Sequence, residues 1–227
     1  MRSITVTVAT GLALTLFSCR NSNTNGTIYP GGESSQELVT NTGDTTRLHN
    51  RDTTTKQFCN FDQYFNRSTT SKLAKDIYSD RDRNLDEDPK GLLALLDSLT
   101  ATDQPSRPFY FKVVTKTYAK ADGYYSEGLG YDGWRYTSNN TREFLGYFDH
   151  KECFTDSDLQ TWSDIVMLEL GMGAGDVSGT RILRDYEEKL NANCKECSAN
   201  QRITLSRFLS KIEDKWQEIF NRTKDGK

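Results

Sequence analysis

The stretch SANQRITLSRFLSKIEDKWQEIFN, residues Ser198 to Asn221, decides the fold class. Its apolar residues recur every three or four positions, which is the pattern of an amphipathic helix with one buried face. Ser198, followed by Gln201 three residues later, matches a capping box at the start of such a helix. The stretch therefore predicts a long helix. The apolar positions are Leu205, Phe208, Leu209, Ile212, Trp216, Ile219 and Phe220.

Two further helices are predicted upstream of this one. The nearer runs from about Val177 to Asn193, and the Cys194–Cys197 turn joins it to the long helix as an antiparallel hairpin. The other runs from Asp156 to Gly171, where a glycine-rich segment ends it. Its start carries a capping box and a hydrophobic staple. The residues of these two motifs are Thr155 with Asp158, and Phe154 with Leu159.

A short helical unit occurs twice in the chain. DPKGLLALLD at residues 88–97 and NTREFLGYFD at residues 140–149 align without gaps at an offset of 52. Each copy begins with a capping residue, carries apolar residues at four matched positions and ends with Asp. Two such units between longer helices predict an all-α domain. Its helical hairpins pack either as an irregular HEAT-like array or as a compact bundle.

Residues 109–136 allow two interpretations. Their β-branched and aromatic residues, followed by the dipeptide Asp122-Gly123, would suit a small β-hairpin. Phe111, Val114 and Tyr118 also fit one face of a helix, and the helices on both sides favour that interpretation. We therefore predict helix here, with a small β-hairpin as the alternative.

Aromatic residues are concentrated between Phe109 and Phe148, with acidic residues among them. Rigid amphipathic rings beside carboxylates suit the binding of a glycan or a peptide, although such rings can also form a core between the two repeated units. Tyr125 and Tyr131 lie next to glycines and are predicted to be exposed. The candidate binding residues are Tyr125, Tyr131, Trp134, Glu127 and Asp132.

Composition and motifs argue against several functions. The formal net charge of −3 gives no basic excess for nucleic-acid binding. The only histidines are His49 and His150, and His49 lies in a polar leader, so a mechanism with two folded histidines is not expected. No nucleophile elbow, His-Glu-x-x-His or Walker sequence occurs, so we predict no enzyme and no cofactor. A hydrolase using Glu127 and Asp132 as a carboxylate pair is kept as a third hypothesis.

The acidic segment Asp80–Asp88 places oxygen ligands at alternate positions, as calcium loops do. Leu85 replaces the turn glycine of an EF-hand loop, and Gly91 replaces its bidentate glutamate. We therefore predict a solvated loop without metal, in which Asp88 caps the following helix.

Four cysteines fall in the predicted domain: Cys59, Cys153, Cys194 and Cys197. An even number in an exported domain favours two disulfides, for which three pairings exist. A four-cysteine zinc site and a redox-active Cys194–Cys197 pair are the alternatives.

The N-terminus has the pattern of an export signal. Arg2 precedes an uncharged run from Ile4 to Phe17, and the sequence Leu16-Phe17-Ser18-Cys19 follows. These four residues resemble the lipobox of bacterial lipoproteins, from which Phe17 departs by its size. The resemblance implies that residues 1–18 are removed, that Cys19 carries lipid, and that the protein is anchored in the bacterial cell envelope. The outer membrane, on its periplasmic face or at the cell surface, is the expected location.

The polar composition of residues 19–56 predicts a disordered, lipid-anchored linker, followed by a single mostly helical domain at 57–227. A tethered domain without a catalytic motif suggests a protein-binding module. Its partner would be an envelope protein or a toxin that the domain neutralises as an immunity protein does. The alternative is an accessory lipoprotein that binds a glycan or a small nutrient.

Overall fold

The structure is a computed structural model that describes residues 58–81, 88–172 and 179–225. All of these belong to the compact unit Asp44–Lys227. The predicted signal, the Cys19 anchor and the linker lie outside the described residues. Most of the acidic segment, the end of the glycine-rich break and the predicted helix start near Val177 also lie outside them.

Nine α-helices lie within the described residues, and none of those residues forms a strand. The prediction of an all-α fold is therefore confirmed. None of the described helices is both long enough and apolar enough to cross a membrane. In chain order the helices are α1 Asp62–Phe65, α2 Lys72–Tyr78, α3 Pro89–Asp97, α4 Arg107–Thr117, α5 Gly123–Asn139, α6 Thr141–Tyr147, α7 Asp156–Met172, α8 Gly179–Asn193 and α9 Ala199–Asp225.

The helices predicted from Ser198 and from Asp156 begin where their caps indicate. At α9, the backbone N–H of Ser198 donates to Gln201 Oε1 at 2.9 Å, and the N–H of Gln201 donates to Ser198 Oγ at 3.1 Å. At α7, the N–H of Thr155 donates to Asp158 Oδ2 at 2.7 Å. These bonds satisfy N–H groups near the helix starts that have no partner inside the helix.

Residues 109–136 contain parts of two helices, so the alternative of a small β-hairpin is wrong. Helix α4 covers the first part, and α5 starts at Gly123, the second residue of the Asp122-Gly123 dipeptide. The N–H of Ser126 donates to the carbonyl of Asp122 at 2.7 Å, which closes the first turn of α5. The tertiary contacts of these helices outweigh the local preference of aromatic and β-branched residues for strands.

Helices α5 and α7 approach each other closely because α5 presents glycines to α7. A Cβ added at Gly133 would lie 2.4 Å from Ile165 Cγ2. One added at Gly130 would lie 2.7 Å from Leu168 Cβ and 3.1 Å from the backbone nitrogen of Glu169. Glycine is required at these positions because no larger residue fits without moving α7.

An aromatic cluster around Phe111 forms the centre of the core. The Phe111 ring stacks on Trp162 of α7, with 4.4 Å between ring centroids and 3° between planes. Trp162 Nε1 donates to Thr115 Oγ1 at 2.8 Å, which satisfies its one polar group. Five other rings lie within 6.2 Å of Phe111, measured between centroids, and contribute to the same core: Tyr136, Phe144, Tyr147, Phe148 and Phe154.

The repeated unit forms a short helix in both copies, α3 and α6. Asp88 caps α3 by accepting the N–H of Gly91 at 2.9 Å, as predicted. Asn140 does not cap α6 with its side chain. Helix α3 packs on α4 and α5, whereas α6 packs on α5 and α9. The two units thus share a local form and differ in their packing.

The cysteines pair as Cys59–Cys153 and Cys194–Cys197. This arrangement fits the predicted pair of disulfides and selects one of the three pairings. The first bond joins residues 94 positions apart, and the second joins residues three positions apart. A cross-link that closes a long loop removes more conformational freedom from the unfolded chain than one that closes a short loop.

We expect the two disulfides to differ in their effect on stability. In the chain-entropy model, replacing Cys59 and Cys153 together by Ser lowers the free energy of unfolding by about 4–5 kcal/mol. The same change at Cys194 and Cys197 costs about 2 kcal/mol. Urea denaturation of both double variants measures the difference, and equal losses would contradict the loop-length argument.

Substitutions on α5 test the close approach to α7. Gly130→Ala is expected to lower the free energy of unfolding by about 1–3 kcal/mol, because the added Cβ would clash with Leu168 Cβ and with the backbone nitrogen of Glu169. Gly123→Ala is the matched control, since nothing lies within 4 Å of its added Cβ. The control is expected to be neutral or to stabilise by up to about 1 kcal/mol. Similar denaturation midpoints for the two variants would show that the contact is not tight.

Candidate functional site

The outer face of α5 carries a row of exposed side chains that we call the outer stripe: Tyr124, Glu127, Tyr131 and Arg135. Their spacing of three, four and four residues places them on one side of the helix. The exposed fraction is 67% for Tyr124 and 48% for Tyr131, which is high for such large rings. The prediction that Tyr131 is exposed is therefore confirmed.

Neighbouring side chains extend the stripe toward α8. The half-buried Trp134 ring lies 6.4 Å from the Tyr131 ring, measured between centroids. The Arg135 guanidinium lies 5.5 Å from the Tyr131 centroid, and Lys189 Nζ lies 5.5 Å from the Trp134 centroid. Cations over ring faces are attracted to them, which restricts the motion of both rings.

Tyr125 is buried, with 2% of its surface exposed, so the prediction that it is an exposed binding residue is wrong. The neighbouring glycines do not break the chain there; they lie inside α5, and Tyr125 falls on its inner face. Its hydroxyl shares a hydrogen bond of 2.8 Å with Thr117 Oγ1. Burial raises the pKa of Tyr125 to about 12, while the bond to Thr117 opposes that shift.

The acidic candidates Glu127 and Asp132 do not face each other. Five residues of α-helix place them about 140° apart around the axis. Glu127 belongs to the outer stripe, whereas Asp132 pairs with Arg135 at 2.6 Å. Partial burial raises the pKa of Asp132; the charge of Arg135 lowers it, and that of Asp97 adds to the rise. The facing carboxylate pair that a hydrolase needs is not formed by these two residues.

A polar cluster that sequence reasoning missed lies between α4, α5 and α6. Glu143 Oε2 accepts a hydrogen bond from Arg107 at 2.6 Å, and Glu143 Oε1 accepts one from the Tyr147 hydroxyl at 2.6 Å. The Tyr136 hydroxyl lies 3.2 Å from that of Tyr147. The sequence could have indicated the contact between Glu143 and Tyr147, because residues four apart lie on the same face of a helix. Arg107, 36 residues upstream, had no such signal.

Burial fixes the protonation of the two tyrosines in this cluster. Desolvation raises the pKa of Tyr136 and of Tyr147, and the negative charge of Glu143 also raises both. Both phenols therefore stay protonated at neutral pH and act as hydrogen-bond donors. The cluster holds the Glu143 carboxylate in one orientation.

Glu143 and Tyr147 also border a cavity of about 640 Å³. Side chains from α1, from the segment before α4 and from α6 meet there, together with Phe58. The Phe58 ring is stacked on His150 with 3.7 Å between centroids, so this wall is held in place.

Among the described residues, the group that offers ligand atoms to a metal is Cys59, Glu152 and Cys153, whose ligand atoms lie within 4.8 Å of one another. The two sulfurs are joined in a disulfide and so are not thiolate ligands in this form. In the acidic segment, Asp80 forms an ion pair with Lys116 at 2.6 Å, and Asp88 caps α3.

Comparison with protein-family models, with curated proteins and with solved structures finds no match to this chain. The outer stripe and the cavity beside Glu143 are therefore the two candidate binding places on the described part of the chain.

Removing the Glu143 carboxylate tests how much the polar cluster of Arg107, Glu143 and Tyr147 contributes to stability. Glu143→Ala leaves the largely buried Arg107 and Tyr147 without their carboxylate partner, and we expect the free energy of unfolding to fall by about 2–3 kcal/mol. Glu196→Ala breaks the exposed pair with Arg142 and is expected to cost less than about 1 kcal/mol. Thermal and urea denaturation of both variants measure the contrast. Equal losses would mean that Glu143 contributes only as a surface charge.

Proposed function

We propose that this chain is a lipid-anchored binding protein of the bacterial cell envelope and that the outer stripe of α5 recognises another extracytoplasmic protein. The observation that carries the proposal is the exposure of Tyr124 and Tyr131 on one helix face. Burying these two large rings would stabilise the fold, yet they remain exposed to solvent. Exposed apolar patches of this kind are frequent at protein interfaces. The partner class is an envelope protein or a toxin that the domain neutralises.

The residue types of the stripe favour a protein partner. Tyrosine, tryptophan and arginine account for a large share of the residues that dominate binding energy in protein interfaces. Tyr131, Trp134 and Arg135 are such residues and contact one another. Because the contacts with Arg135 restrict the Tyr131 ring before binding, little conformational entropy is lost when a partner covers it.

The anchor follows from the N-terminal sequence. Lipid on Cys19 would hold the domain at the membrane, and the polar linker at 20–56 would let it reach a partner. A flexible coil of that length spans roughly 35 Å on average. The outer membrane is the proposed site, on its periplasmic face or at the cell surface.

Cross-linked pull-downs from intact envelopes test the interface. We expect Tyr131→Ala to weaken capture of the partner at least about tenfold, because truncating a central aromatic contact typically costs more than 1 kcal/mol. Ile203→Ala is the matched control, because Ile203 on α9 is 60% exposed and lies outside the stripe. A loss of capture with Ile203→Ala as large as that with Tyr131→Ala would place the interface elsewhere.

Membrane fractionation tests the anchor separately. Cys19→Ala removes the only proposed lipid attachment point, so the protein is expected to move from the membrane to the soluble fraction. Ser18→Ala keeps a small residue before the cysteine and is expected to leave the protein in the membrane. Membrane retention of the Cys19→Ala variant would refute the lipobox interpretation while leaving the stripe open to test.

A further inference from the structure

The cavity beside Glu143 is a second candidate binding place, and it shares no residue with the outer stripe. Its volume of about 640 Å³ lies within the range of small-molecule sites, which is about 300–1,000 Å³. Apolar and aromatic side chains form most of its walls: Phe58, Tyr64, Pro105, Pro108 and Tyr147. Among these, the half-buried Phe58 ring and the exposed Pro105 are the surfaces on which a small ligand can pack.

The polar groups of the cavity supply both donors and acceptors. Gln63 and Gln104 are exposed and each carries an amide that can donate and accept. Glu143 is 31% exposed, and its oxygens keep acceptor capacity beyond the bonds from Arg107 and the two tyrosines. The cavity therefore suits a ligand with several hydroxyl or amide groups.

The charges at the cavity are already paired, which argues for an uncharged ligand. The carboxylate of Glu143 is matched by the guanidinium of Arg107 at 2.6 Å. Arg67 lies over the Tyr64 ring at 4.5 Å from its centroid, and it pairs with Asp103 at 2.8 Å. An anionic or cationic ligand would have to compete with one of these pairs, whereas a neutral ligand leaves both intact.

We propose that this cavity binds an uncharged saccharide. The ring C–H groups of a pyranose carry partial positive charge and can pack on the half-buried Phe58 ring, on the side that His150 does not cover, and against the exposed Pro105. Its hydroxyls can donate to Glu143 and exchange hydrogen bonds with Gln63 and Gln104. The saccharide site is independent of the proposed protein interface on α5.

Saturation-transfer NMR on the purified full chain tests this proposal, with maltose, cellobiose and N,N′-diacetylchitobiose as neutral probes. Glucuronic acid and glucosamine are the charged comparators. At least one neutral probe is expected to bind, with saturation strongest on its ring C–H protons. The double variant Gln63→Ala/Gln104→Ala is expected to weaken that binding about tenfold or more, because two hydrogen bonds are lost.

Two controls keep the outcome decisive. Thermal melting shows whether the double variant is folded, and both glutamines are exposed, so we expect an unchanged midpoint. Tyr131→Ala lies on the outer stripe and is expected to bind the sugar as the unaltered protein does. The proposal is overturned if no neutral probe binds the folded protein, or if a charged comparator binds more tightly. Unchanged affinity in the double variant, or loss of affinity with Tyr131→Ala, also overturns it.

Discussion

The close packing of α7 against α4 and α5 is the constraint on which the rest of the domain depends. Trp162 stacks on Phe111 of α4, and Gly130 and Gly133 bring the α5 backbone against α7. Because α5 presents glycines where its backbone comes closest to α7, most of its large residues lie on its other surfaces, although the Tyr136 ring still lies 5.9 Å from Trp162, measured between centroids. Tyr125 and Tyr136 fill the core, and the rings of the outer stripe remain in solvent.

Helix α4 connects the core to three other parts of the chain through cations along its length. A buried or half-buried charge is costly unless it is paired, so each pair favours one arrangement of the segments that it joins. The pair between Arg107 and Glu143 also fixes the position of α6, because it holds the Glu143 carboxylate beside the cavity. The three pairs are Arg107–Glu143 at 2.6 Å, Lys112–Asp158 at 2.7 Å and Lys116–Asp80 at 2.6 Å.

The parts of the fold that the sequence predicted are those set by neighbours along the chain. The starts of α7 and α9 could be read from caps, since the capping residues lie three positions apart. Tyr125 was misplaced because glycine has two uses that look alike in a sequence. It can end a helix, or it can let two helices touch, and only the packing in the folded chain decides between them: Gly128, near Tyr125, lies against Leu93 of α3. Arg107 was missed because its partner lies 36 residues away.

The disulfide between Cys59 and Cys153 gives the proposed tether a mechanical attachment to the core. A chain anchored at Cys19 enters the described domain at Phe58, next to the first cysteine of the bond. Cys153 directly precedes Phe154, which is 1% exposed and packs against Phe111. If the chain is anchored at Cys19 as proposed, force on the domain would pass through the disulfide into the aromatic core. Without that bond it would act on α1, which is four residues long. Because α1 contributes Gln63 and Tyr64 to the cavity, the same bond also connects that cavity wall to the aromatic core.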